Sequence, residues 1–247
     1  IPYEWNYFSE RPLVNFNLAM KLLRQIYSLL GNQEYLPSFS TLAKQYSVPF
    51  ITVRRAVKIL SDIGIVETIP GKGTRVLVGV DNPAPISSFS TPNLKKALLQ
   101  YLQSMQIILI ICKDAARSVF PSLTDSSIQD SASWLKTIVI SGDYYMTFGV
   151  CFSLLSENAQ SPALREILGG LMQIQYLGYP LNDVKPYPFR FDSRSTTALL
   201  KSLEERDADL FAEELQCLAL DIFKAGKEKL IAGGILEAEA IVLPSLD

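Results

Sequence analysis

The stretch Pro49–Ile63 constrains the fold more than any other part of the chain. Val53, Ala56, Val57 and Leu60 recur at i, i+3, i+4 and i+7, the spacing of one helix face, while Arg54, Arg55 and Lys58 fall on the opposite side. The flanking residues narrow the choice. Pro37-Ser38 opens a shorter helical run to Gln45, with Ser38 placed to cap its first turn, and Tyr46-Ser47-Val48 leaves room only for a tight turn. After the longer helix, Gly64 supplies a left-handed stop. Two β-rich runs, Ile65–Ile69 and Thr74–Val78, then flank Pro70-Gly71-Lys72-Gly73, which reads as a hairpin tip. An earlier helix is expected from Pro12 to Leu30, with Leu18, Leu22, Ile26 and Leu29 on one face and Gly31 ending it. Helix, helix, tight turn, helix and hairpin together make a helix-turn-helix followed by a wing.

At 247 residues the chain suits two modest domains. Gly79–Asn93, rich in Pro and Ser and lacking a helical period, reads as a linker. Beyond it the spacing predicts six helices: Leu94–Val119, Ser126–Ile140, Tyr144–Glu157, Pro162–Leu177, Ser193–Glu205 and Ala208–Ile231. The expected fold is therefore mainly α: a winged helix-turn-helix at 1–78, a linker at 79–93, and an all-α helical bundle at 94–247. The apolar tail Ile235–Asp247 is expected to pack on the bundle or between subunits.

Charge divides along the same line. Residues 1–80 hold nine Lys/Arg against five Asp/Glu, and the remainder fourteen against twenty, so a basic head precedes an acidic body. That asymmetry suits a small nucleic-acid-binding head, although ordinary scatter between domains reaches similar values. With no histidine in the chain, Ser-His-Asp and Cys-His catalysis and every histidine-containing metal site are excluded. Cys112, Cys151 and Cys217 are odd in number, form no CxxC pair, and read as small core residues of an intracellular protein. The longest apolar run, Ile107–Cys112, is far short of the ~20 residues of a bilayer span, and no signal peptide is seen. The glycine loop at the hairpin lacks the G-x-x-x-x-G-K-[ST] pattern of a phosphate cradle. Neither an enzyme nor a bound cofactor is expected, and the chain is placed in the cytoplasm.

Leu36-Pro37-Ser38, Leu42-Ala43, Val48, Thr52-Val53-Arg54, Ala56, Leu60, Gly64, Gly71-x-Gly73-Thr74 and Val76 occur in an order and spacing that resemble the winged-helix signature of the GntR family of regulators. The helical half is similar to the effector domain of the FadR branch of that family, through Asn158–Leu168 and through Leu199–Ala212 broken at Asp207. The resemblance implies a ligand-responsive repressor or activator that reads a palindromic double-stranded DNA operator as a homodimer, with a small-molecule effector held in the FadR C-terminal-like domain.

In a helix-turn-helix the second helix enters the major groove and its first residues reach base edges. The family's DNA-contacting positions map onto Ser40, Pro49, Phe50, Ile51, Thr52 and Arg54. Arg54 suits a guanine or a phosphate, Thr52 a phosphate or base edge, and Arg55 and Lys58 backbone phosphates. The wing residues Lys72, Gly73 and Thr74, with Gly71, would lie at the minor groove, and Ser38 at its helix N-terminus would hold a phosphate. Two departures matter. Phe39-Ser40 stands where the family usually has Glu-Arg, and Pro49-Phe50 where it has Ser-Arg. Fewer cations displace fewer counterions, and Phe50 with Ile51 offers apolar contact to thymine methyls instead. The same departures favour an alternative, a degenerate winged-helix scaffold that acts through protein partners with weak or no specific DNA binding.

Many members of that branch hold a divalent metal through an Asp and three His. The matching positions are Tyr145, Gly149, Thr196 and Leu218, none of which supplies the expected ligand, so no metal is expected. The bulky helix containing Tyr144, Tyr145, Met146, Phe148, Cys151 and Phe152 reads either as plain core or as the lining of an apolar effector pocket. Tyr145, Phe148 and Phe152, with Arg165 and Gln173 as polar anchors and Gln175 nearby, form the candidate effector set.

Overall fold

A computed structural model describes residues 14–28, 34–77, 92–142, 144–178, 181 and 193–243. The expected Pro12 start, Leu29, Gly31, Val78, most of the linker and the last four residues of the tail lie outside the described residues.

The head begins with α1 (Val14–Ser28), whose Leu18, Leu22, Leu23 and Ile26 are fully or almost fully buried. It packs across α3 (Phe50–Asp62), which buries Val53, Ala56, Val57 and Leu60, the stripe expected from their spacing. Between them lies α2 (Phe39–Gln45), anchored by the buried Leu42. Both α2 and α3 end in the same way. Ser47 at φ 52° and Gly64 at φ 78° turn the chain left-handed. The next amides then reach back to the last turn, Val48 to Ala43 O at 3.0 Å and Ile65 to Leu60 O at 2.9 Å, which satisfies carbonyls the helix leaves open. Tyr46 Oη donates to Gln25 Oε1 at 2.6 Å, pinning the turn to α1.

Strands β1 (Val66–Ile69) and β2 (Gly73–Val76) pair antiparallel, with Val66 opposite Val76 and Ile69 opposite Gly73. The connection is Pro70-Gly71-Lys72. Lys72 N donates to Ile69 O at 3.1 Å, and Gly71 takes φ 75°, the positive φ that a type II turn needs after a proline. One feature was not expected from sequence. Residues 34–36 run along the outer side of β2, with Leu36 N donating to Thr74 O and Val76 N to Glu34 O, both at 2.8 Å.

Among the described residues the body holds the helices α4 (Pro92–Val119), α5 (Asp125–Ser141), α6 (Thr147–Asn158), α7 (Pro162–Gln175), α8 (Ser193–Glu205) and α9 (Ala208–Ala232). Each coincides with an expected helix to within a few residues. The first opens two residues earlier than expected, with Pro92 in its first turn, where a missing N–H costs nothing. Short 3₁₀ turns at Tyr144–Met146 and Tyr176–Gly178 replace the first turn of the third expected helix and the last turn of the fourth. Side chains cap the starts: Thr124 accepts from Ser127 N, Ser161 from Leu164 N and Asp207 from Leu210 N. The long helices α4 and α9 form the central pair, and Leu98, Leu102, Met105, Leu109, Leu215 and Ile222 are buried on them. Phe120 tilts against Phe211 with ring centroids 5.3 Å apart. Exposed ion pairs trim the edges, among them Arg117–Asp209 at 2.7 Å and Lys136–Glu204 at 2.8 Å, and pairs of this kind add little stability.

Tyr101 on α4 lies against Gly226 of α9 and Gly178, where a Cβ would overlap its ring. The tail forms a 3₁₀ turn, Leu236–Ala240, on α9 and α4, burying Ile235 and Ala238. Cys112 and Cys151 are core residues, and burial raises both thiols, Cys112 to about 12. Cys217 departs from the core expectation and is exposed. Among the described residues no helix is long and apolar enough to cross a membrane.

Candidate nucleic-acid interface

The turn between α2 and α3 fixes what α3 presents. With Val53, Ala56, Val57 and Leu60 turned inward, Phe50, Ile51, Arg54, Arg55 and Lys58 are left on the outer face. Phe50 is 55% exposed and Ile51 49%. Two large apolar side chains thus lie side by side in solvent at the helix start. Phe50 leans on Phe39 of α2 with centroids 5.7 Å apart, which orients its ring without burying it.

Pro49 occupies the N-cap of α3 and makes no side-chain cap, so no side-chain oxygen competes for the first amides of that helix. Arg54 and Arg55 are exposed, and neither pairs with a described residue. Lys58 is exposed but bonded to both carboxylate oxygens of Asp62, at 2.8 and 3.0 Å. Its charge is partly neutralised before any phosphate arrives.

Two of the expected contact residues, Thr52 and Thr74, are buried, and a third, Ser38, is exposed. Thr52 is only 8% exposed, because position 52 of α3 sits beside the inward stripe, so its hydroxyl does not face outward. Thr74 is 3% exposed and its Oγ1 lies 3.4 Å from Thr68 Oγ1, which leaves it inside the wing. Ser38 is exposed, but its Oγ accepts from Thr41 N at 3.1 Å and bonds Ser40 Oγ and Thr41 Oγ1. It serves as the α2 cap and also orients Ser40. The wing tip does present Gly71, Lys72 and Gly73 outward, and Gly73 takes φ 114° with Tyr35 beside it. Behind the tip Arg75 pairs with Glu67 at 2.9 Å.

The candidate effector set does not come together. Phe148 and Phe152 are buried and stack face to face, centroids 5.3 Å apart, as part of the bundle core. Tyr145 is 41% exposed on the preceding 3₁₀ turn. Both Nε and Nη2 of Arg165 donate to Ala159 O, at 3.0 and 2.7 Å, which holds the α6–α7 turn. Gln173, alone of the set, lines the cavity between α4 and α7. Of the metal-matching positions, Thr196 bonds Thr147 at 2.7 Å and Leu218 is core. Among the described residues no three His, Cys, Asp or Glu side chains converge.

Residues 17–76 match the family model of bacterial regulatory proteins of the gntR family. No curated protein matches the chain. Several solved structures overlay on it. They include a GntR protein of Streptococcus agalactiae (18% identity, 85% of this chain and 99% of that one, TM-score 0.39). A second is a GntR family transcriptional regulator from Pseudomonas syringae pv. tomato (16%, 92% and 88%, 0.40). A third is E. coli McbR/YncC (16%, 85% and 97%, 0.42). Overlays this loose add nothing to the family match, which spans α1 through the wing. The winged helix, its outward-facing α3 and that match place residues 17–76 with the gntR family of bacterial regulatory proteins, as a winged helix followed by an all-helical C-terminal part.

Proposed function

We propose that the chain reads a two-fold symmetric operator as a homodimer in the cytoplasm, under the control of a small molecule bound by its helical body. In this reading residues 1–78 form the DNA-binding head, 79–93 the linker and 94–247 a FadR-type effector and dimerisation domain. The observation that carries it is the outer face of α3. Phe50 and Ile51 stand exposed at the helix start with unpaired Arg54 and Arg55 one turn on, beside a wing tip carrying Lys72. Phe50 and Ile51 suit thymine methyls, and Arg54 suits a guanine edge. Arg55, Lys58 and Lys72 suit phosphates, as do Ser40 and the first amides of α3 behind Pro49. Two heads spaced one helical turn apart need two-fold pairing of the chain.

Selection of bound duplexes from a random pool at near-physiological salt tests the reading. An enriched inverted repeat is expected, and retention of unrelated duplexes without enrichment would overturn it. A second reading, a winged helix that docks on another protein, is favoured by the Phe39–Phe50 pair and by the Lys58–Asp62 bond, which give the face apolar area and remove a cation. It predicts no enriched site at any salt.

A further inference from the structure

Phe148 and Phe152 of α6 are packed into the bundle core, while the α4–α7 side of the body is open. Between α4 and α7 runs a groove of about 1180 Å³, which is ample for a drug-sized molecule. Its walls are mostly aliphatic: Ile107 and Ile110 from α4 face Leu164 and Ile167 from α7. Ile107 is 46% and Ile110 58% exposed, unusual for isoleucines in mid-helix.

Three further observations say what would cover it. Gln173 Oε1 is buried in this wall and accepts no hydrogen bond from any described residue. A buried acceptor left open costs free energy until a donor reaches it. The nearby Ser104 hydroxyl is already engaged, donating to Tyr101 O and accepting from Gln175 Nε2, both at 2.7 Å. Asp114, in contrast, is exposed and pairs with no described residue, and among the described residues it is the only charged side chain in the lining. Among the described residues the wall therefore offers neutral amides and hydroxyls and one negative charge, and no Lys or Arg. A carboxylate or phosphate would meet repulsion there, and a protonated nitrogen would meet a partner. The last wall residue, Phe16, belongs to α1 of the DNA-binding head, and α1 also touches the Tyr176–Gly178 turn that follows α7.

We infer that this groove is an effector site for an apolar molecule bearing a cationic nitrogen, and that its occupant contacts head and body together. The inference rests on the ligand-responsive part of the proposed function. A ligand wedged between Phe16 and α7 binds differently when the head moves, which is what a ligand must do to shift the DNA-binding equilibrium. Control then runs through the α1–body contact and bypasses the packed aromatic residues of α6.

The test uses the full chain with n-decylamine, decanol and decanoate, each below self-association, followed by calorimetry and by retention of a selected duplex. Decylamine is expected to bind more tightly than decanol, decanoate not detectably, and decylamine to change duplex retention. Asp114→Asn should weaken decylamine about two- to fivefold, and Gln173→Leu by a similar factor. Phe16→Ala should reduce the effect of decylamine on duplex retention more than it reduces binding. Equal binding of decanoate, no binding of any probe, or an Asp114→Asn variant that binds decylamine unchanged would each overturn the inference. So would a dimer that Ile110→Asp disperses while no probe binds, because the groove would then belong to a second copy of the chain. Failure of the regulator reading looks different: decylamine binds with the Asp114 dependence, yet no duplex is enriched.

Discussion

Ser47 adopts φ 52° where the chain leaves α2, a conformation that costs an L-residue roughly 1–2 kcal/mol and glycine almost nothing. Its neighbour in function, Gly64, already solves the same problem after α3. Ser47→Gly should therefore stabilise the head by about 0.5–1 kcal/mol after the greater freedom of glycine in the unfolded chain is counted. A raised urea midpoint checks it, and an unchanged or lowered one sinks the argument. Phe50 carries a different prediction. If its ring reads thymine methyls, Phe50→Ala should weaken a selected duplex by about tenfold and a scrambled one by less than about twofold. Equal losses on both, measured by fluorescence anisotropy, would show that the ring contributes only general contact.

Among the elements, α6 and α8 are joined by one buried polar contact, Thr147 Oγ1 to Thr196 Oγ1 at 2.7 Å. Thr196→Val strands the Thr147 hydroxyl in the core and should cost about 1–3 kcal/mol, while the double variant Thr147→Val, Thr196→Val should recover most of it. Thermal or chemical unfolding of the three variants decides this. The same pair shows where sequence reasoning stops. The helices of the body were legible because apolar period, Pro, Gly and capping residues agree at nearly every boundary, as at Ser193–Glu205 and Asp207. The stripe of α3 was legible for the same reason, and it fixed the outward set of Phe50, Ile51, Arg54 and Arg55. Helical period says only that a face is apolar, however, and not whether it meets a neighbouring helix or a ligand. That is why Phe148 and Phe152 stood as pocket candidates although they are core, while Ile107 and Ile110 went unremarked. Thr52 was misplaced because it borders the inward stripe of its helix. Residues 34–36 left no trace because three residues carry no period.

At the scale of the whole molecule, the basic head and acidic body place cations where a duplex would lie. Of these, the proposed reading assigns Arg55 to the phosphate contacts that position the protein without reading bases. Arg55→Ala should lower affinity about equally for every duplex and reduce the steepness of log K against log salt by about 0.9. A change in base preference at constant slope would reassign it to direct reading. One connection described above also bears on how the head moves. A lone two-stranded hairpin is marginal in water, yet here the chain entering α2 is stitched to the outer edge of β2 by the amides of Leu36 and Val76. The wing thus has no separate melting of its own: peeling it away means lifting the strap and the start of α2 with it. A wing fixed in this way is aimed by turning the head, and the amides of Leu36 and Val76 should exchange with solvent at one common, slow rate.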